Sequence, residues 1–206
     1  MLGLTRIDTC YSCDALPSLM KKRDWKKVQK IVSANKGISM SCNSRCCKTC
    51  KRAHSPLSIA CRFNPDDKVV STLLKADASA ATEVDCLNRF PLHVACEYGA
   101  SPEVIRKLLA TNKYAVSKKD THGMLPLHLL LRYYSRNSNI HVPEQKVNES
   151  ILSILKDLLD AEPSAILQED SEGVCPIEHA VVSGLNLDIL NELIKRSQCE
   201  QFHKSV

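Results

Sequence analysis

Aromatic residues are scarce in this chain. One Trp, five Tyr and three Phe make up 4% of its 206 residues. β-Sandwich cores draw heavily on aromatic and β-branched side chains, so a core of Leu, Val and Ala packed between helices fits better. Long apolar runs are missing too. No stretch of about 18 apolar residues occurs, so no membrane-spanning helix is expected. The opening Met1-Leu2-Gly3-Leu4-Thr5-Arg6 lacks the apolar segment of a secretory signal, and an intracellular protein is expected. Catalytic signatures are absent as well: there is no Gly-rich phosphate loop, no G-x-S-x-G elbow and no H-E-x-x-H pair. The expectation is therefore a protein that is not an enzyme and needs no cofactor.

A short apolar motif recurs four times. It reads Ser55-Pro56-Leu57-Ser58-Ile59-Ala60-Cys61, Phe90-Pro91-Leu92-His93-Val94-Ala95-Cys96, Leu125-Pro126-Leu127-His128-Leu129-Leu130-Leu131 and Cys175-Pro176-Ile177-Glu178-His179-Ala180-Val181. The first three prolines are 35 residues apart, and the step to Pro176 is 15 longer. A fixed period of this size signals stacked repeats. Downstream of each proline stand two apolar pairs: Val69-Val70 with Leu73-Leu74, Val104-Ile105 with Leu108-Leu109, Ile154-Leu155 with Leu158-Leu159, and Ile189-Leu190 with Leu193-Ile194. Their spacing places them on one helical face.

Upstream, Asp85, Asp120 and Asp170 stand six residues before a proline, where the first copy has Cys50. Asn88, Gly123 and Gly173 stand three before it, where the first copy has Ala53. Asn and Gly tolerate positive φ, so a tight turn is expected there. Each unit reads as a turn, a short helix opened by proline, a break capped by Gly99, Gly184 or Asn64, and a longer amphipathic helix. One such unit cannot bury its apolar face alone, but stacked neighbours can.

The Asp–Gly–Pro-Leu-His frame resembles the ankyrin-repeat family, whose unit of about 33 residues carries a Thr-Pro-Leu-His-x-Ala core. The family's Thr is Ser55, Phe90, Leu125 and Cys175 here, and its His survives as His93 and His128. The resemblance implies an all-α helical solenoid of helix–turn–helix units stacked side by side. Residues 50–197 are expected to form four repeats, 50–84, 85–119, 120–169 and 170–197. The third carries a polar, proline-containing insertion near 132–146, read as a loop leaving from the side opposite the turns. Residues 14–49 read as a capping helix pair with a Cys-rich basic loop, with Trp25 as a core anchor. Residues 1–13 are expected to be a flexible N-terminus and 198–206 a frayed tail.

The resemblance also implies a function, an interaction module or scaffold that binds a protein partner on the concave surface of turn tips and short helices. The expected contacts are the tip residues Asn88, Arg89, Thr121, His122, Met124, Ser171, Glu172 and Val174, extended by Glu97, Tyr98 and Arg132. His93 and His128 are implied to be structural.

Eleven cysteines remain to be placed. Cys61 and Cys96 share one repeat position and read as small buried apolar residues, while Cys86 and Cys175 read as free thiols. Cys42, Cys46, Cys47, Cys50 and His54 fall close together, and Cys47 and Cys50 have the two-residue gap of a structural zinc pair. A zinc site and a loop of free thiols both fit this segment. Charge is concentrated there too: residues 1–54 hold twelve Lys or Arg against three Asp or Glu. Such a cluster suits nucleic acid or an acidic protein, and equally the polar outer face of a solenoid end. No aromatic residues are interleaved to stack bases. An alternative function is thus a regulator that binds zinc or nucleic acid through this segment.

Overall fold

The computed structural model describes residues 11–34, 54–136, 144–182 and 184–204. Among these residues every regular element is a helix. The helices come in pairs: α1 (Tyr11–Lys21) with α2 (Trp25–Ala34), α3 (Pro56–Cys61) with α4 (Asp67–Ala76), α5 (Pro91–Glu97) with α6 (Pro102–Thr111), α7 (Pro126–Arg136) with α8 (Glu144–Ala161), and α9 (Pro176–Val182) with α10 (Leu187–Lys204). α1, α3, α5, α7 and α9 pack neighbour to neighbour in one row, and α2, α4, α6, α8 and α10 in a second. The result is a two-row helical stack, in which α1 and α2 hold the place of a unit at one end. Short 3-10 helices, Ala78–Ala81, Lys113–Ser117 and Pro163–Leu167, lead from α4, α6 and α8 towards the next unit.

Proline opens each inner helix from α3 onward, and Asn or Gly closes α3, α5 and α9. Asn64, Gly99 and Gly184 take φ of 52°, 68° and 64° just beyond α3, α5 and α9, the left-handed caps the spacing calls for. Gly99 is held by packing as well. A Cβ there would stand 2.1 Å from the ring of Tyr133, so only Gly lets α5 end against α7.

The core lies between the rows and between neighbouring units. Val69, Val70 and Leu73 of α4, Val104, Ile105 and Leu108 of α6, and Ile154, Leu155, Leu158 and Leu159 of α8 are buried. Leu57, Leu92, Leu127, Leu129, Leu130 and Leu131 meet them from the inner row. Burying each such side chain contributes about 1.5–3 kcal/mol. Leu16, Met20, Val28 and Val32 extend the same core into the first pair, with Trp25 packed against it.

Three boundaries differ from expectation. Tyr11–Cys13 already belong to α1, and α10 runs on to Lys204, through most of the expected tail. The insertion is the third. Residues 132–136 continue α7 and 144–146 open α8, so the extra chain lengthens both helices. Tyr134 packs against the core and Tyr133 against Gly99, which gives the added turn of α7 something to bury. Among the described residues, no helix is long and apolar enough to cross a membrane.

Candidate functional site

The turns that precede α5, α7 and α9 share one construction. Each aspartate uses Oδ1 to accept two backbone N–H groups. Asp85 takes those of Leu87 (2.9 Å) and Arg89 (3.1 Å), Asp120 those of His122 (2.8 Å) and Met124 (2.9 Å), and Asp170 those of Glu172 (2.8 Å) and Val174 (3.1 Å). The aspartate N–H donates across the turn to the carbonyls of Arg89, Met124 and Val174. Asn88, Gly123 and Gly173 supply the positive φ at 58°, 71° and 77°. Thr121 N–H then donates to the Leu87 carbonyl and Ser171 N–H to that of His122, both at 3.0 Å, which lines the tips up side by side. The Asn88 amide adds a 3.2 Å bond to the Lys119 carbonyl.

The two histidines tie units together. His93 Nε2 is 2.8 Å from the Lys118 carbonyl of the next turn. His128 accepts Leu125 N–H at Nδ1 (3.1 Å) and reaches the Val174 carbonyl with Nε2 (3.3 Å). Burial pushes both imidazoles down to about 4, so both are neutral at pH 7. Both ring nitrogens of His128 and Nε2 of His93 are engaged in holding turns, while His93 Nδ1 is buried without a hydrogen-bond partner among the described residues.

A chain of alternating charges runs from the end of α3 through the turn before α5 to α7. Arg62 Nη2 lies 3.5 Å from Asp85, and Arg89 clamps Asp85 Oδ2 with Nε (3.0 Å) and Nη2 (2.7 Å). Arg89 also donates to Glu97, which faces Arg132 at 3.6 Å. Burial would raise the Asp85 carboxyl, but Arg89 and the two turn N–H groups more than offset it and hold it below the usual value. Beside this chain the three tips enclose a cavity of about 190 Å³, lined by Leu87, Arg89, Glu97, Asp120, His122, Met124, Arg132, Ser171 and Glu172.

Residues 57–140 match a family model described as ankyrin repeats, in three copies. The units within residues 57–140 are ankyrin repeats. A search of curated proteins finds no match. The ankyrin match ends within the third repeat, and the fourth repeats the same aspartate turn and proline-opened helix beyond it.

Of the expected contacts, Arg89, Glu97, His122, Met124, Arg132, Ser171 and Glu172 line the cavity, while Asn88, Tyr98, Thr121 and Val174 lie outside it. Asn88, Thr121, His122, Ser171, Glu172 and Tyr98 are exposed, and Glu97, Arg132 and Val174 half-buried. Two expectations of exposure are corrected. Arg89 is 6% exposed, because Asp85 and Glu97 hold its guanidinium inside the turn. Met124 is 7% exposed, folded inward where its apolar chain gains burial. Leu87 and Asp120 also line the cavity; sequence spacing marks Asp120 only as a turn residue.

Cys61 and Cys96 are buried, and burial drives the Cys61 thiol up to about 12 and Cys96 higher still, so neither forms thiolate at pH 7. Cys86 and Cys175 are half-buried and form no disulfide among the described residues. Cys42, Cys46, Cys47 and Cys50 lie outside the described residues, as does most of the basic loop. His54, expected beside them, is buried with no hydrogen-bond partner for its ring among the described residues.

Proposed function

We propose that this chain is a non-catalytic interaction module that binds a protein partner on the concave surface of its second, third and fourth repeats. Ankyrin repeats generally serve as protein–protein interaction modules, and stacked repeats offer extended concave surfaces for that purpose. The observation that carries the reading is the cavity where three turn tips converge, rimmed by the exposed side chains of His122, Ser171 and Glu172. A second support is rigidity. The tips are tied to one another by backbone hydrogen bonds, so little ordering entropy is lost when a partner docks.

The test is affinity capture from cell extract, with and without nuclease, using wild type and the variant Thr121→Arg/His122→Glu/Glu172→Lys. These three side chains are exposed, so the variant should fold normally. A protein that survives nuclease and is lost with the variant supports the reading. Capture that depends on nucleic acid and ignores the variant moves the function to the basic N-terminal segment.

A further inference from the structure

The three turn aspartates use Oδ1 identically but differ at Oδ2. Asp85 Oδ2 receives Arg89, and Asp170 Oδ2 receives His179 Nε2 at 2.9 Å. Asp120 Oδ2 has no hydrogen-bond or ion-pair partner among the described residues, although Asp120 is only 8% exposed. The sequence explains the difference. Arg89 stands two residues before its proline and His179 three after. The third repeat has Met124 and Leu129 at those two positions, so it lacks an internal cation or donor for its aspartate. Asp120 is one of the residues that line the cavity.

Charge points the same way. Within the cavity wall, Arg89 is taken up by Asp85 and Glu97, and Arg132 faces Glu97. Asp120 and Glu172 have no cationic partner among the described residues. The neighbouring lysines are occupied elsewhere: Lys119 Nζ donates to the Glu169 carbonyl at 2.7 Å, and Lys118 Nζ sits 3.7 Å above the Tyr114 ring. A nearly buried carboxylate with a spare oxygen binds most strongly to a group that brings both a positive charge and an N–H.

We propose that the cavity takes a lysine or arginine side chain of the protein partner, paired with Asp120 Oδ2 and with Glu172 at the rim. The incoming cation stands in for the one that Arg89 supplies in the second repeat. This rests on the interaction-module reading and names the chemistry of its partner.

The probe is a random peptide library displayed on phage and selected against the full chain. Two variants examine the site. Asp120→Asn keeps the oxygen that accepts both turn N–H groups and removes the charge. Met124→Arg places a guanidinium where Arg89 stands and fills the site from within. Thermal unfolding by circular dichroism confirms that each variant is folded. Expected are peptides that share a Lys or Arg whose change to Gln weakens binding about tenfold or more, with the same loss for Asp120→Asn and for Met124→Arg. The proposal is overturned by peptides that lack a common cation, that carry an acidic residue meeting Arg132, or that bind Asp120→Asn as tightly as wild type. If such peptides are still lost with the Thr121→Arg/His122→Glu/Glu172→Lys variant, the concave-surface reading stands and only the cation pairing fails. Peptides indifferent to all these variants overturn both. A library yielding no chain-dependent peptide also counts against the proposal.

Discussion

Mild acid should weaken this fold before Asp85 and Asp170 titrate. His93 and His128 are fully buried, and burial drives both imidazoles to about 4 from an ordinary value of 6.5. In the unfolded chain they titrate near 6.5. Between the two values the unfolded chain takes up protons that the folded chain refuses. Stability therefore falls as pH falls, beginning below about 6.5 and ending near 4. A gap of about 2.5 pKa units corresponds to about 3 kcal/mol for each histidine. Two such groups weigh heavily against a typical total of about 5–15 kcal/mol. The Asp85 and Asp170 carboxyls are held below 3.8, so their contribution disappears only under more acid conditions. The assay is urea unfolding at a series of pH values between about 7.5 and 4, for wild type and His128→Gln. Gln can still donate to the Val174 carbonyl but cannot titrate. The variant should lose about 1–3 kcal/mol at neutral pH through the unmatched Leu125 N–H, and its slope through the acid window should be about half that of wild type. A wild-type stability that is flat across the window, or an unchanged slope in the variant, would refute the reasoning.

Three further outcomes follow from buried or strained groups. Arg89→Met should cost about 3–5 kcal/mol in thermal melts, because Asp85 is left charged and buried; adding Asp85→Asn should recover much of that loss. Gly99→Ala should be more damaging than Gly173→Ala. Both glycines have positive φ, worth about 1–2 kcal/mol, but a Cβ at Gly99 also strikes the Tyr133 ring, whereas one at Gly173 meets nothing within 4 Å. Site-resolved mass spectrometry after thiol labelling should find exposed Cys199 modified in the native state and Cys61 and Cys96 modified only on unfolding.

What the sequence discloses and what it hides divide along physical lines. Pro91, Asp120, Gly123 and their counterparts act through backbone geometry within a few residues, so their roles can be read from spacing. Burial depends on what lies across the groove and is harder to read. Arg89 looks like a tip residue until Asp85, four residues earlier, and Glu97, one helix later, are seen to grip it. An acid–base pair spanning a turn was the available signal. Met124 shows how an apolar residue beside a turn folds inward. The lengthening of α7 was also legible, since Leu127, Leu130, Leu131 and Tyr134 keep helical phase beyond the short-helix length of the other repeats. On the far side of the insertion, Val147, Ile151, Ile154, Leu155 and Leu158 do the same for α8. The polar residues and Pro143 between these stripes obscured them. Asp120 was the least visible of all. Its distinction is the absence of a cation at positions filled in the neighbouring repeats, and that emerges only when the three turns are laid side by side.

The claim that the tip surface meets the partner is tested most directly by photo-crosslinking. A photoreactive amino acid is placed at Thr121, exposed on the tips, or at Lys156, exposed on the outer helix α8, and each form is incubated with cell extract. Crosslinks to one protein from position 121, absent from 156 and suppressed by Glu172→Lys, are the expected result. The same protein crosslinking from 156 and not from 121 would contradict the account.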